Sequence, residues 1–594
     1  MPTLEGHLDD LNSLLPTPLS PEEMNQALDR VKGEWKHYDP ATRRFKIELN
    51  DTNRPDLWSV EGIARQLRGG TPLPGRPYSF LEKASTREAG KAPEMTVDPA
   101  LSRVRPFLGG FRATGGTLGE EGLAGLIGTQ ERLSELFGRK RADLAIGVYP
   151  LNGSSKGSLK GKEIAFPLSY RLADPDATRF VPLGEESPRT LREVLATHPK
   201  GIAYGPLVSS HPAWPVISDA NGEILSLPPV INSQTSGAVV PGDRDLFVEA
   251  TGNDPQRILL VLNILAANLA DRGFLVEPLL SRGAGGDILA PSSPGIAVFV
   301  PAGLPARVAG AADDPRDFIE VLLGFGYPAI SRKGTAPEGI GRSSAGGYEV
   351  LQPFYRDDLL GAVDVVEDYL VARGFDSFAP VMPRAFTAGS AAPRIKVENR
   401  IRTACLGMGF TELLSNILTG EPAVTTRLGR GGEALVRIDN PASLQYAVVR
   451  PTLLSGLLAA EARSARHPYP HRVFEVGEAM ELASSRSGER RLKDLHLAAA
   501  LISHPGAGIS ELQGVLEALL ARFHLRLALE PEDHPPYIPG RCGVLKNSRG
   551  EGVATVGEIH PATLDLWGIR MPAAAFELDV AALLGEGDVL GAGH

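Results

Sequence analysis

The chain has 594 residues, 42% of them hydrophobic and 22% charged, which is too long for a single core and too apolar for a disordered chain. Its 61 basic residues against 71 acidic ones leave a net charge of −10, so no global positive field draws in nucleic acid and any such contact must be local. The 2 cysteines, Cys405 and Cys542, exclude a disulfide framework or a thiolate zinc site and fit a reducing compartment.

The N-terminus lacks a basic region followed by an apolar run, the pattern of a signal peptide. The longest apolar stretch, at 258–270, is interrupted by Asn263 and Asn268 and falls short of the roughly 18 residues of a membrane span. A cytoplasmic protein with no membrane contact is expected.

At one domain per roughly 100–200 residues, the length predicts about four domains. Residues 1–85 form the first. Within it Asn50-Asp-Thr-Asn-Arg-Pro-Asp-Leu57 reads as a specified turn, because Asn50, Asp51 and Asn53 can bond their own backbone and Pro55 fixes one φ angle. A helix follows, with Asp56 as its expected cap and Leu57, Val60, Ala64 and Leu67 as an apolar stripe. Arg65, Gln66 and Arg68 are left outward in this reading. The run Gly69-Gly-Thr-Pro-Leu-Pro-Gly-Arg-Pro77 breaks all periodicity and reads as a linker.

Residues 95–280 mix short strands with helices predicted over 120–137 and 255–272, the second stopped by Gly273, and form an α+β unit. The glycines of Ser281-Arg-Gly-Ala-Gly-Gly-Asp-Ile288 lack the spacing and downstream helix of a phosphate loop, so the segment reads as a turn. Residues 281–356 form a small helix-containing module of winged type, with a strand at 297–300 and a helix at 317–325 ending at Gly326. Residues 357–594 alternate helices such as 393–408 with strands at 472–476 and 495–502, a mixed sheet with flanking helices.

The turn string, followed by Glu61-Gly-Ile-Ala-Arg65, resembles the N-terminal module of the phenylalanyl-tRNA synthetase beta-subunit family in its archaeal and eukaryotic form. Further strings match that family in the same order. Leu227-Pro-Pro-Val-Ile-Asn-Ser233 and Phe247-Val-Glu-Ala-Thr-Gly-Asn-Asp254 look like its editing domain, and Arg356-Asp-Asp-Leu-Leu360 with Asp364-Val-Val-Glu-Asp368 like the start of its core domain. Arg450-Pro-Thr-Leu-Leu-Ser-Gly-Leu-Leu458, Pro470-His-Arg-Val-Phe-Glu-Val-Gly477 and Gly557-Glu-Ile-His-Pro561 resemble the degenerate class II synthetase fold of that domain. The resemblance implies a multidomain α+β protein: an N-terminal α+β module, an α+β editing domain, the small module, and a C-terminal class II synthetase-like antiparallel sheet with flanking helices. It also implies an alpha-subunit partner in a tetramer of two alpha and two beta chains that uses ATP to join phenylalanine to tRNA(Phe).

By spacing alone, Asp364, Glu367 and Asp368 stand at i, i+3 and i+4 on one helix face opposite Val363, Val366 and Leu370, with Asp358 just before. Like charges packed this way need a cation or a basic partner, or else form a solvated acidic face at a helix start. The resemblance implies that Asp358, Asp364, Glu367 and Asp368 are Mg²⁺ ligands, with Asp357 one position out of pattern. Four carboxylates exceed what Mg²⁺ takes directly, so water or the partner subunit would complete such a site.

An apolar phenylalanine pocket rejects tyrosine by only about a hundredfold, which calls for a second, hydrolytic site holding a buried partner for the phenol hydroxyl. Asn232, Thr235 and Glu249 lie in or beside the editing-like strings and are the candidates. Their alternative readings are a capped turn and a surface strand residue. His467 and His471 flank a proline-rich loop without a third ligand nearby. The basic runs Arg139-Lys-Arg141 and Arg490-Arg-Leu-Lys493 read as solvated faces or local contacts to tRNA phosphate.

Arg450 and Arg472 stand in synthetase-like strings, but no glycine-rich approach to a terminal arginine follows, so the fold looks kept and the ATP chemistry lost. Charging is therefore expected on the alpha subunit, and anticodon reading is not expected of this chain. The rival readings are a free-standing hydrolase of mischarged tRNA and an RNA-binding scaffold.

Overall fold

The computed structural model describes residues 2–70, 78–86, 94–153, 163–310, 314–333, 346–380, 382, 387–431, 435–484, 490–547 and 549–584, so most of the expected 69–77 linker lies outside the described residues. The chain divides into two compact units, Met1–Met382 and Pro383–His594, and is mixed α+β in both.

The first unit begins with a three-stranded antiparallel sheet in which Arg44–Leu49 lies between Thr3–His7 and Gly33–Asp39. Alternation along the central strand buries Phe45, Ile47 and Leu49. The specified turn leads into the helix Val60–Leu67, but Ser59 caps it, accepting the Gly62 N–H at 2.9 Å. Asp56 instead takes a two-bond clamp from Arg54, at 2.8 Å and 2.8 Å. Gly62 permits the close approach, since a Cβ there would sit 1.7 Å from the Asp56 carbonyl oxygen.

The helix is also buried almost all round rather than on one stripe. Arg65 is 1% exposed, its Nη2 donating to Asn268 Oδ1 at 2.6 Å and its Nε to Asp271 Oδ2 at 3.0 Å. Asp271 is itself fully buried at the end of the helix Pro255–Asp271, so the arginine is drawn inward by an acid distant in sequence that needs a cation.

A ten-stranded sheet forms the middle of this unit. From one end its strands run Ile231–Asn232, Ile224–Leu227, Trp214–Ser218, Leu168–Ala173, Met95–Val97, Leu275–Arg282, Phe107–Thr114, Leu246–Gly252 and Leu144–Pro150, with Ile288–Ala290 paired beside Leu275–Arg282. Helix Pro255–Asp271 is apolar on nearly every face and packs on one side of this sheet. A second core of Leu108, Tyr149, Tyr170, Ile217 and Phe247 fills the other side. The Asn232 side chain on the first strand reaches the last one, so the sheet curls until its ends meet. The glycine-rich segment after Ser281 is the hairpin between Leu275–Arg282 and Ile288–Ala290.

The small module follows as a three-stranded sheet, Ala297–Pro301, Gly347–Leu351 and Ile330–Lys333, with the helix Pro315–Phe325 capped by Asp314. The helix Ala362–Arg373, placed by sequence at the start of the last domain, packs instead into this module. Its Val365, Val366 and Tyr369 share a core with Val300, Phe318 and Tyr348. That helix does not divide its faces as the spacing suggested. Val363 is 60% exposed and Asp368 only 8%, because an ion-paired carboxylate on the inner side has taken a position that hydrophobicity alone would give to valine.

The second unit is built on a seven-stranded sheet ordered Thr411–Glu412, His471–Ser484, Arg490–Ser503, Ala573–Asp579, Gly552–Ile559, Tyr537–Lys546 and Ala528–Pro531. All pairings are antiparallel except the first. Helices Pro393–Gly407 and Ile509–Ala521 cover one face, and Leu454–Arg463 and Pro561–Trp567 cover the other. This is the antiparallel platform with flanking helices expected from the sequence.

Candidate active site

Glu249 sits at the centre of the strand Leu246–Gly252 and is 3% exposed. Its register neighbours on both sides are glycines, Gly110 and Gly147. Cross-strand partners share a face, so the missing side chain at Gly147 leaves room for the Glu249 carboxyl and for Tyr149, two residues further along the same strand. A Cβ at position 147 would lie 2.3 Å from Glu249 Oε1 and 2.4 Å from the Tyr149 hydroxyl oxygen.

The Tyr149 hydroxyl donates to Glu249 Oε1 at 3.0 Å and lies 3.3 Å from Asn232 Oδ1. Asn232 Nδ2 in turn donates to the Val148 carbonyl at 3.4 Å. Glu249 Oε2 is buried with no hydrogen-bond partner among the described residues. Burial pushes the Glu249 carboxyl up to about 7, against the opposing pull of the Tyr149 hydroxyl and the Arg105 guanidinium. Burial and the neighbouring Glu249 raise the Tyr149 phenol well above its ordinary value, so it stays protonated.

Glu249 and Asn232 line a cavity of about 390 Å³, within the size of small-ligand sites, roughly 300–1,000 Å³. Its wall includes the apolar Leu126, Ile146 and Val148, the polar Ser226 and Thr251, the Pro228–Pro229 segment, and Glu131, Arg141, His198 and Lys200. Arg105 organises the floor. Its Nε donates to Thr251 Oγ1 at 2.9 Å, Nη2 to the Thr251 carbonyl at 2.7 Å, and Nη1 to the Arg141 and Ala142 carbonyls at 3.1 Å and 3.2 Å.

Of the three residues singled out by sequence, Asn232 and Glu249 meet at this cavity through Tyr149. Thr235 does not line it. It follows the cap residue Ser233 in the short helix Gln234–Gly237 and donates to Glu223 Oε1 at 3.1 Å. Sequence reasoning missed Tyr149 and Arg105, which reach the site from a separate strand and a loop with no local motif, and passed over Thr251, which lies two residues beyond Glu249 on the same strand. A Gly147-x-Tyr149 pair on one strand and an acid on another carry a signal only once the register is known.

The four acidic candidates are arranged differently. The Arg356 guanidinium grips Asp358, Nε to Oδ1 at 2.9 Å and Nη2 to Oδ2 at 2.7 Å, and its Nη1 donates to Asp368 Oδ2 at 2.6 Å. The Tyr327 hydroxyl donates to the same Asp368 oxygen at 2.6 Å. Burial by itself would raise the Asp358 carboxyl, but the Arg356 contact outweighs it and holds that carboxyl below its ordinary value. Asp364 accepts the Gly361 N–H at 2.7 Å, closing the start of its helix. Glu367 is exposed and pairs with Lys32, which also pairs with Asp51 at 3.0 Å.

Arg356 and Lys32 thus pair with three of the four acids, Asp358, Asp368 and Glu367, the basic-partner alternative to a metal. Among the described residues no three His, Cys, Asp or Glu side chains converge where they could hold a metal ion. As four direct ligands of Mg²⁺ this set does not fit.

In the second unit a cavity of about 770 Å³ is lined by Arg394, Glu398, Ser415, Tyr446, Arg450 and Glu478, among others. Arg450 is 2% exposed. Its Nη1 donates to Glu475 Oε1 and to Ser415 Oγ, each at 2.7 Å, and its Nε to the Glu478 carbonyl at 2.9 Å. Arg472 gives Nη2 to Glu511 Oε1 at 2.8 Å. Both arginines of the synthetase-like strings are therefore engaged by acids of their own chain. His471 pairs with Glu461 rather than with His467 as a metal pair, its Nδ1 lying 2.8 Å from Oε2. Lys493 of the second basic run pairs with Glu481. Both cysteines are buried and free.

Residues 379–580 match the family model of the phenylalanyl tRNA synthetase beta chain CLM domain. The phenylalanine–tRNA ligase beta subunit of Treponema pallidum is 35% identical over 555 residues, 91% of this chain and 87% of the relative. That of Thermococcus kodakarensis is 32% identical over 607 residues, 99% of this chain and 100% of the relative. A crystal structure of an N-terminal fragment of the phenylalanyl-tRNA synthetase beta subunit from Pyrococcus horikoshii superposes with a TM-score of 0.52 at 28% identity, covering 63% of this chain and 99% of the fragment. With near-complete coverage at this identity, and with the curled sheet and the antiparallel platform both in place, the chain belongs to the phenylalanine–tRNA ligase beta-subunit family.

Proposed function

We propose that this chain is the non-charging half of an ATP-dependent phenylalanine–tRNA ligase, and that its Glu249 cavity hydrolyses tyrosyl-tRNA(Phe). Two alpha subunits would join two copies of it, bind ATP and phenylalanine, and charge tRNA(Phe). The observation that carries the editing reading is the unpaired, buried Glu249 Oε2 at a cavity walled in part by Leu126, Ile146 and Val148. A tyrosine phenol satisfies that oxygen. A phenylalanine ring leaves it without a partner, and that asymmetry lets the cavity hold tyrosine and release phenylalanine. The placement of charging elsewhere is supported by Arg450 and Arg472, whose donors point to Glu475 and Glu511 instead of being free for phosphate.

Magnesium enters this reading only at assembly. Asp364 and Glu367 lie on the outer side of their helix and could offer oxygens to an ion completed by another chain, whereas Asp358 and Asp368 are held by Arg356. No described helix is long and apolar enough to cross a membrane, and the cytoplasm is the compartment the reading calls for.

The test is co-expression and purification followed by two assays. The chain is expected to bring down an alpha subunit, to show no charging by itself, to charge phenylalanine in the complex, and to release tyrosine from tyrosyl-tRNA(Phe). Charging by the isolated chain would overturn the assignment. Deacylation by a chain that retains no partner would favour the free-standing hydrolase. In the same assay Gly147→Ala is expected to slow tyrosyl-tRNA(Phe) hydrolysis by at least roughly tenfold and to lower the melting temperature. The added methyl overlaps Glu249 and Tyr149, an overpacking that costs about 1–3 kcal/mol.

A further inference from the structure

In the second unit the helix Pro393–Gly407 carries cations on two faces. Arg394, Glu398 and Arg402 recur at i, i+4 and i+8, and there the chain balances its own charges: Arg394 pairs with Glu398 at 3.0 Å and Arg402 with Glu412 at 2.8 Å. Lys396, Asn399 and Arg400 stand at i, i+3 and i+4 on another face. With Ala518 and Arg522, from the end of the helix Ile509–Ala521, they line a groove of about 560 Å³ in which no residue is acidic.

Lys396 and Arg522 are exposed and enter no ion pair among the described residues. Arg522 also opens the run Arg522-Phe-His-Leu-Arg526, in which Phe523 and Leu525 pack inward and the three basic residues face solvent, so the positive surface continues past the helix end. Asn399 Oδ1 accepts from Arg402 Nη1 at 3.1 Å, which leaves its Nδ2 as a further donor. The wall is open at Gly407, where a Cβ would meet nothing within 4 Å. A surface kept only for solubility intersperses both signs, whereas this one gathers donors and cations from distant parts of the chain and gives them no acid.

We propose that this groove binds the sugar–phosphate backbone of the tRNA. Phosphodiesters supply the row of anions that Lys396 and Arg522 lack, and in a chain of net charge −10 an RNA contact has to be a local one of this kind. The contact uses no residue of the Glu249 cavity. It rests on the ligase-complex reading for its choice of RNA over another polyanion.

The experiment uses the alpha–beta complex, labelled tRNA(Phe), and two double variants, Lys396→Gln with Arg522→Gln and Lys396→Glu with Arg522→Glu. Both side chains are exposed, so the melting temperatures are expected to stay native. In the neutral variant the KM for tRNA(Phe) in phenylalanine charging should rise about tenfold, with kcat and the KM values for phenylalanine and ATP unchanged. The slope of log affinity against log salt should fall by about 1 for each cation removed. Charge reversal should weaken binding further. Native tRNA affinity and salt slope in both variants overturn the proposal. Loss of the alpha subunit from the purified variants also overturns it, because the groove then holds protein instead of RNA. If the complex binds tRNA(Phe) in a way that depends on Lys396 and Arg522 yet charges no phenylalanine, the RNA groove stands and the ligase reading falls.

Discussion

Glu249→Ala is expected to slow hydrolysis of tyrosyl-tRNA(Phe) by roughly 10- to 100-fold while leaving phenylalanine charging intact. Removing the partner of a buried hydroxyl forfeits about 1.5–3 kcal/mol, and each 1.4 kcal/mol is about tenfold in rate. The substitution also strips the Tyr149 hydroxyl of its 3.0 Å acceptor, so part of the loss comes through disorder in the cavity wall. Single-turnover deacylation of tyrosyl- and phenylalanyl-tRNA(Phe) separates the two contributions. A lost hydroxyl contact erases the preference for tyrosine, whereas a collapsed wall slows both substrates alike. Tyrosine hydrolysis at the native rate would remove Glu249 from the site.

The same residue gives a pH signature of known sign. Its carboxyl titrates at about 7 in the folded protein, against an ordinary value of 4.5. A carboxyl raised on folding binds its proton more tightly in the native state, so its contribution to stability is fully present below pH 4.5 and is lost as pH rises through 7. Discrimination runs the other way. The ionised carboxylate accepts a charge-assisted bond from the phenol, so tyrosine selectivity should rise over the interval in which the fold loses stability. Glu249→Gln flattens both curves, and its melting temperature should gain on that of the native protein as pH rises from 5 to 8. A native selectivity profile with no inflection near neutrality would contradict this role.

What could be read from the sequence was whatever rests on local chemistry. The turn at Asn50, the helix terminators Gly273 and Gly326, and the apolar Pro255–Asp271 helix follow from φ preferences and periodicity within a few residues. The candidate site was half legible, since Glu249 and Asn232 sit in strings of their own. Tyr149 comes beside Glu249 only through strand register, and Arg105 only through its bonds from a loop to Thr251, neither of which periodicity encodes. The misplaced residues share one cause. By sequence Arg65 is left outward, Asp56 is a helix cap and Asp368 stands on an acidic helix face, yet each is buried against a charged partner: Asp271, Arg54 and Arg356. Hydrophobic patterning registers the charge and is blind to the distant counter-charge that lets it go inside.

That blindness matters most at Arg356, where the acid cluster invited a metal. Arg356→Met is expected to destabilise the first unit by about 3–5 kcal/mol, because it leaves Asp358 and Asp368 buried without their counter-charge. Chelating magnesium from the native chain is expected to leave its melting temperature unchanged, since guanidinium protons and the Tyr327 hydroxyl already occupy the Asp358 oxygens and Asp368 Oδ2. The triple variant Arg356→Met, Asp358→Asn, Asp368→Asn should recover much of the lost stability, because it removes the buried charges along with their partner. A metal-held corner predicts the reverse ordering: a large drop on chelation, a mild effect of Arg356→Met, and a triple variant no better than the single one. Thermal melts of the three proteins with and without EDTA decide between an arginine and a magnesium ion as the cation of this corner. Repeating the native melt in the alpha-subunit complex then shows whether an ion joins Asp364 and Glu367 when the chains assemble.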